Sequence, residues 1–522
     1  MTTIKRPLWV WGLALLGMCA VPAHAWQVEA DTIALTLDEA EQIAIVNNYM
    51  LRMVQLDVET AQSQVRSGWG QLVPQIDFSS GYTRTLEAIN PFAGSAAGGL
   101  FQSLGYVDWL AYNEEARTDV DPTTTPTDFD DFIDRREQGL SDAGIVTTGS
   151  DNPFLVPNAY SSAISIRQIL FDGRAIKGAR GASMYLEPFQ AEGAARQTQL
   201  VLAQVHEAYY GALLAQNQVS VLRASTERTL ATEGEVRRRV EAGIVPVFEQ
   251  LTIEVERANL ETQLLGAENR AASALDNLKL VLGIPIQTDL RLVDVLEMPQ
   301  ASAAPEPFAS AVRTALGTRP DVEQARIGIL LEETNLDATR ALRFPTISAI
   351  GNLSYIGNVP ENRVFAQGVQ GDPFTFTRQE NDYFSDAYWG ANITVGFALQ
   401  WTLFDGFQRA QQIAQRKIAV ERAQIQAEQL HQQVRFEVDA ALRTLRTAER
   451  QVSTQRQNLR RAEVNYEHAR RRFDEGVISA FEERQANDLF DQSKLGYLQS
   501  VHDYLLAQSA YLTATGTSAT GR

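Results

Sequence analysis

Cysteine is all but missing: the chain of 522 residues has one, Cys19, inside a stretch that reads as a secretory leader. Lys5 and Arg6 start that leader, Leu8 to Ala20 form its short apolar stretch, and Ala23-His24-Ala25 supply a small-residue cleavage pattern, which assigns residues 1–25 to a signal peptide. Met18, not a small residue, precedes Cys19, so lipid attachment there is not expected. The mature chain is then left without disulfides or thiolate metal sites. Histidine is scarce as well, and the five present (His24, His206, His431, His468, His502) show no pairing at metal-ligand spacing. No metal and no cofactor is expected. Past residue 30, no stretch approaches the ~20 apolar residues of a membrane-spanning helix, so any membrane contact must come from strands or from the surface. Basic charge is in deficit, with Lys+Arg 46 against Asp+Glu 64 and a formal net charge of -18. Nucleic acid is therefore not an expected partner, because its phosphates draw on clustered Lys and Arg.

What is present is one unit written twice. Leu170-Phe171-Asp172-Gly173 recurs as Leu403-Phe404-Asp405-Gly406, Arg238-Arg239 with Gly243 as Arg471-Arg472 with Gly476, Phe248-Glu249 as Phe481-Glu482, and Gly283 as Gly516, all at an offset of 233. The fronts match more loosely at an offset of 271, Val73-Pro74 against Phe344-Pro345, so the first unit carries 38 extra residues before its Phe-Asp-Gly. The first repeat, 26–284, reads as helix ~36–72, strands ~75–85 and ~160–171, long helix ~173–241 and returning helix ~247–282. A Pro- and Ala-rich linker, 285–307, leads to the second repeat, 308–522. That repeat reads as helix ~308–343, strands ~345–356 and ~391–404, long helix ~406–474 and returning helix ~480–514. Thr36-Leu37-Asp38-Glu39 is a capping-box start. From Phe171 to Gly243, and from Phe404 to Gly476, is 72 positions, which as continuous helix spans on the order of 100 Å. These arms are rich in Ala, Gln, Arg and Glu and lack a sustained Leu seam. A narrow apolar stripe between broad polar faces suits a wall wetted on two sides, although a solvated helical rod would read alike.

The strands decide the class. From Ala391 to Phe404, Ile393, Val395, Phe397, Leu399, Trp401 and Leu403 alternate with Asn392, Thr394, Gly396, Ala398, Gln400 and Thr402. Alternation of that length fits a tilted membrane strand and is about twice a usual globular strand. Residues 345–356, 75–84 and 160–171 alternate less cleanly. The other reading is a soluble four-stranded sheet with one buried face. A membrane sheet must close on itself because lipid offers no partner to an unpaired edge. Four strands are too few, since membrane barrels begin at about eight, so several chains must pool strands, and three would supply twelve. Residues 86–158 read as a long Gly/Pro/Thr-rich loop with an acidic run (Asp128, Asp130, Asp131, Asp134, Glu137), a solvated loop before it is a calcium site. Tyr106, Trp109, Tyr112, Tyr388 and Trp389 are candidates for an interfacial girdle and equally for ordinary loop aromatics.

In order and spacing, these landmarks resemble the TolC-type outer-membrane efflux proteins. The resemblance rests on the duplicated Leu-Phe-Asp-Gly joints, the Arg-rich approach to Gly243-Ile244 and Gly476-Val477, Leu282-Gly283 and Arg319-Pro320-Asp321. It implies a mainly α fold with transmembrane β: a homotrimer whose twelve-stranded barrel in the outer membrane of a Gram-negative bacterium continues into a twelve-helix periplasmic α-barrel. It also implies a periplasmic adaptor (membrane fusion) protein and an inner-membrane pump of RND or ABC type as partners, with outer-membrane lipid around Ile393, Val395, Phe397, Leu399 and Trp401. The turns Gly243-Ile244-Val245 and Gly476-Val477-Ile478 match the tip that meets the adaptor. The family's carboxylates six and nine positions after the turn glycine correspond to Glu482 and Gln485, and in the first repeat to Glu249 and Thr252. The prototype's Arg and Tyr near the second turn correspond to Ile478 and Phe473, so closure by Phe473 and Ile478 with one or two Glu rings replaces its hydrogen-bonded gate. The expected function is passive conduction for efflux or type I secretion. A structural or adhesive periplasm-spanning trimeric stalk without an open pore is the alternative. An enzyme reading is the weakest: no nucleophile elbow, phosphate loop or metal constellation occurs, and Asp-Gly at a strand-to-helix joint is ordinary capping chemistry.

Overall fold

The computed structural model describes residues 33–87, 96–121, 123–142, 156–298, 306–361, 363–370 and 372–517. The leader and Cys19 lie outside the described residues. In chain order the elements are β1 (Ile33–Leu35), α1 (Leu37–Asn47), α2 (Tyr49–Gly70), β2 (Gln75–Arg84), α3 (Ala96–Thr118), α4 (Phe129–Asp142), β3 (Asn158–Phe171) and α5 (Gly173–Gly181). A π-helical turn, Ala182–Leu186, leads into α6 (Glu187–Glu241), followed by α7 (Val247–Leu282), β4 (Leu290–Leu292), α8 (Phe308–Thr318) and α9 (Pro320–Arg340). After them come β5 (Thr346–Val359), β6 (Val364–Val369), β7 (Asp372–Glu380), β8 (Trp389–Gln400), α10 (Gln408–Asp474) and α11 (Ala480–Thr515). The chain divides into two compact units, and neither is a repeat. One holds Met1–Val58, Gln190–Ala325 and Ala427–Arg522; the other holds Glu59–Phe189 and Arg326–Gln426.

Each opening helix, expected as one piece, is broken once, at equivalent places. Asn48 and Arg319 are related by the same 271-residue offset as Pro74 and Pro345. At Asn48 the backbone turns extended, and its side-chain carbonyl accepts from the Met50 and Leu51 N–H groups at 2.9 and 3.2 Å. At Arg319 the break follows from Pro320, which disfavours helical geometry in the residue before it. The linker is less loose than its composition suggests. Its β4 pairs in parallel with β1, and Asp294 accepts from the Tyr209 hydroxyl at 2.7 Å and from the Leu37 N–H at 2.9 Å. Around this point lies the largest core of the first unit, with Leu35, Val205, Tyr209, Leu278, Val501 and Tyr504 all out of water. A smaller core beside it joins Ala311 and Ala315 of α8 to Val434, Val438 and Leu442 of α10. Its rim carries a buried cation. Arg319 donates to both carboxylate oxygens of Asp321 (3.0 and 2.6 Å), to Glu437 at 2.6 Å and to the Ala514 carbonyl at 3.2 Å.

In the second unit, β2, β3, β5 and β8 form an antiparallel sheet in that order, open at both edges. β6 and β7 make a separate hairpin between β5 and β8. Residues 86–158, read from the sequence as loop, contain α3 and α4. Tyr106 stacks on Phe129 at 4.2 Å, Tyr112 meets Phe132 at 5.5 Å, and Trp109 donates to the Thr127 carbonyl. These aromatics therefore pack within their own helical excursion, where mutual burial competes with any interfacial role. The acidic run also has a local use: Asp128 accepts from the Asp131 N–H at 2.9 Å, and Asp130 and Asp131 occupy the first turn of α4, where the helix dipole favours anions.

Truncating Arg319 would leave Glu437 without its buried counter-charge and Asp321 with only Arg196, 3.4 Å away. Arg319→Leu is expected to cost about 3–5 kcal/mol, seen as a clearly lower thermal unfolding midpoint of the purified protein; an unchanged midpoint would remove Arg319 from the supports of the α8–α10 packing.

Candidate functional site

Two regions concentrate the chemistry: one face of the sheet, in the second unit, and the paired helix turns, in the first. On the sheet, the ladder sets which side chains share a face. Ile166 pairs with Ile76, Ile164 with both Phe78 and Leu353, and Leu353 with Ile393. Ala349 pairs with Phe397 and Ile347 with Leu399. Directly paired residues point the same way, so the apolar halves of all four alternations fall on one side. The other side carries Asp77, Ser79, Ser165, Asn352, Thr394 and Gln400. The apolar side is not covered: Val395 is 86% exposed and Phe397 81%. Ile393, Leu399 and Trp401 are exposed as well, and Trp401 lies just past the end of β8 with its indole N–H on the Arg343 carbonyl at 3.1 Å.

At the far end of this face, aromatic rings from all four strands gather. Tyr82 stacks on Tyr160 at 4.7 Å, Tyr160 on Trp389 at 5.3 Å, and Tyr355 on Trp389 at 5.6 Å. Tyr82 and Tyr355 belong to the apolar halves of their alternations, but of this set the sequence offers only Trp389 as an interfacial aromatic. Tyr82, Tyr160 and Tyr355 are far apart in sequence, and only the strand register brings them to one level.

The two helix turns have the same geometry. Gly243 and Gly476 both sit at left-handed φ (73° and 74°). In the first turn the Gly243 N–H donates to Val240 and Ile244 N–H to Arg239; in the second, Gly476 N–H donates to Phe473 and Val477 N–H to Arg472. These pairs satisfy carbonyls that the long helices leave open at their ends. Ile244 and Val477 project into solvent, whereas Val245 and Ile478 turn back onto a small core made by Val236, Ile253, Phe473 and Ala480. Phe473, expected to help close a passage, is 1% exposed. It lies under the Arg239 guanidinium at 4.4 Å, and Arg239 also donates to its carbonyl at 2.8 Å. Phe473 therefore joins the two hairpins from within, and any influence on closure passes through their packing. A ring lost from water in this way cannot also line a lumen.

The polar candidates differ between the repeats. Glu482 is exposed and closes a capping box on α11, accepting from the Ser479 N–H at 3.0 Å and its hydroxyl at 3.1 Å. Those two hydrogen bonds hold its carboxyl below the usual range. Glu249 is half-buried on α7, whose cap, Pro246, makes no side-chain bond. Thr252 and Gln485 are exposed, with the Thr252 hydroxyl turned back to the Phe248 carbonyl at 2.8 Å. The neighbour of Glu482 was missed: Glu483 is buried, 3.7 Å from Arg470, which donates to Thr232 at 2.9 Å. Further along, Arg228 bonds to Asp491 and to Asn487 (2.6 Å) and lies over the stacked rings of Tyr466 and Phe490. Glu233, also buried, meets Arg257 at 2.7 Å and Arg237 at 2.9 Å. Apart from Glu233 and Arg237, an i,i+4 pair on α6, nothing in the spacing of these charges marks them as partners, because each of the other pairs joins different helices.

Two arrangements bear on catalysis. Among the described residues no group of three or more His, Cys, Asp or Glu is placed to hold a metal ion. His206 bridges Ser509 (2.7 Å) and Glu41 (2.5 Å), which has the composition of a hydrolytic triad. Ser509, however, is buried near the C-terminal end of α11, where the surrounding backbone N–H groups are consumed by the helix and cannot stabilise an oxyanion.

The model of the family described as outer membrane efflux protein matches residues 311–517. Protein CyaE of Bordetella pertussis is 29% identical over 286 residues, 54% of this chain and 53% of the relative, so the match spans about half the length of that curated protein. Among solved structures, the CmeC outer membrane channel of Campylobacter jejuni superposes with a TM-score of 0.66 at 14% identity, covering 95% of this chain and 90% of that one. The open state of the MtrE outer membrane channel of Neisseria gonorrhoeae gives 0.61 at 14% identity, covering 92% and 88%. The fold is that of these solved outer-membrane channels, and the match to the outer membrane efflux protein family covers residues 311–517.

Burial raises the Glu483 carboxyl above its ordinary value of 4.5, so the folded tip holds a proton at pH values where the unfolded chain has released it. Stability contributed by this group is present in acid and falls as pH rises through the raised value. Glu483→Gln is expected to flatten the loss of protection at residues 470–490 between pH 5 and pH 7 in hydrogen exchange; the same slope in both proteins would clear Glu483 of the effect.

Proposed function

We propose that three copies of this chain pool their sheets into one twelve-stranded barrel and their helices into one periplasmic tunnel, the passive exit duct of a tripartite efflux or type I secretion assembly. An inner-membrane pump supplies the energy and a periplasmic adaptor joins it to the duct. The observation that carries this reading is the register-matched apolar face. The twelve residues of β8 run about 40 Å at roughly 3.3 Å each, and a tilt of about 45° turns that into a height of about 28 Å, close to the ~25 Å apolar band of outer-membrane barrels. Rings mark both ends of that band, Trp389 with its tyrosines at one and Trp401 at the other, as interfacial aromatics do. The polar face then lines the lumen, and the open edges of β2 and β8 find partners in neighbouring copies.

The turns at Gly243-Ile244-Val245 and Gly476-Val477-Ile478 form the tip that meets the adaptor, with Ile244 and Val477 as its exposed apolar contacts. Glu482, repeated three times around the axis with Glu249, Thr252 and Gln485 nearby, makes the narrow end of the passage electronegative and favours cations. Phe473 acts beneath that constriction by holding the two hairpins together.

Two experiments test this. Val395→Arg places a charge in the acyl band at about 2–4 kcal/mol and should abolish outer-membrane assembly, whereas Thr394→Arg, on the opposite face, should assemble; equal tolerance of both would fit a soluble sheet. In planar bilayers the purified protein should conduct, and Glu482→Gln, which keeps the capping hydrogen bonds, should shift the reversal potential toward lower cation selectivity. An unshifted potential would remove Glu482 from the constriction, and a protein that never conducts would favour a stalk.

A further inference from the structure

The tetrapeptide Leu-Phe-Asp-Gly occurs at two strand-to-helix joints and folds in two ways. After β3, in the interior of the sheet, Asp172 caps α5 at once by accepting from the Arg174 and Ala175 N–H groups. After β8, on the open edge, the helix begins later, and both Gly406 (φ 64°) and Phe407 (φ 67°) are left-handed. Phe407 is the sole non-glycine residue with positive φ among the described residues, a geometry that crowds its Cβ against the backbone. Such a conformation persists only where the surrounding structure requires it. Its effect is to bring the Phe407 ring onto Phe404 at 5.6 Å and leave both rings more than two-thirds exposed, with Leu403 beside them. The charges nearby are already satisfied: Asp405 takes the Arg409 side chain at 2.6 Å, and Arg409 reaches the Leu342 carbonyl at 3.2 Å. The knob is therefore apolar as well as exposed.

The opposite edge of the same sheet carries a matching surface. Trp69 at the end of α2 and Val73 just before β2 are both exposed. The register of the ladder puts the two segments at one level. Gln75 lies across from Arg167, Arg167 from Ile350 and Ile350 from Gly396, so β2 starts four residues short of the helix-side end of β8 at Gln400, and the residues just before Gln75 stand level with the last four of β8. A following copy paired to β8 near this register sets its Trp69–Val73 segment alongside the residues that follow Gln400.

We infer that the Leu403–Phe407 turn of each copy seats against Trp69 and Val73 of the next, an apolar latch just below each seam of the barrel. This rests on the trimeric reading above. A second copy is favoured over acyl chains because the left-handed turn occurs at the edge joint and not at the interior joint, which shares Leu-Phe-Asp-Gly with it but has Arg174 where Phe407 stands, although both joints stand at the same end of the sheet.

The test uses the full chain in outer membranes, whose one natural cysteine lies in the leader. Val73→Cys combined with Phe404→Cys, treated with a short bismaleimide, should yield covalent dimers and trimers on denaturing gels, while each single variant stays monomeric. Phe407→Gly accepts the left-handed backbone without strain and removes only the ring, so it should assemble yet lower the cross-link yield about tenfold, as expected for losing a buried ring. Conducting trimers without the Val73→Cys–Phe404→Cys product would overturn the latch and leave the duct intact; quenching of Phe404→Trp by brominated lipid would then identify acyl chains as the occupant. Absence of both trimers and conductance would overturn the latch together with the duct.

Discussion

A sheet of four strands with one bare apolar face and two open edges cannot be satisfied by the chain that makes it. The apolar side chains of β2, β3, β5 and β8 align through the ladder, yet nothing among the described residues covers them. The outer N–H and C=O groups of β2 and β8 have no partners within the sheet. Closure with further copies in an apolar solvent, as proposed above, would answer both demands at once. Much else in the chain is consistent with that one constraint. The strands are long, their second face is largely polar, and the helices that follow have no strong apolar seam of their own.

The duplicated sequence is used unequally. Turns of the two repeats are superimposable in their hydrogen bonds, because a left-handed glycine after an arginine-rich helix end admits few alternatives. The breaks at Asn48 and Arg319 also coincide, although a side-chain amide makes one and a proline the other. The Phe-Asp-Gly joints diverge, and they diverge according to position in the sheet: interior for β3, edge for β8. A repeat placed twice in one chain thus meets two environments, and its local structure follows the environment.

Buried charge is the second theme of the helical unit. Arg319, Arg228, Glu233, Glu483 and Asp491 are all held by partners on other elements or on a facing turn. Such pairs add little net stability over apolar residues of the same size. Each pair nevertheless fixes one helix against another, since breaking it would leave a charge buried without its partner. Phe473 between Arg239 and Arg470 serves the same end at the tip, which is why it is buried where a constriction residue would be exposed.

Periodicity, duplication and turn chemistry are properties of neighbours in the chain, and these could be read directly. The alternation from Ile393 to Leu399, the glycines at 243 and 476, and the capping boxes at Thr36 and Ser479 all state their geometry within a few residues. Other features depend on which distant segments meet. The helices inside 86–158, the strand at Leu290–Leu292, the aromatic level formed by Tyr82, Tyr160, Tyr355 and Trp389, and the pairing of Arg228 with Asp491 became visible only in the folded chain. The physical reason is that backbone conformation and face are set by local sterics and spacing, whereas burial and charge pairing are set by packing partners that one-dimensional spacing does not identify.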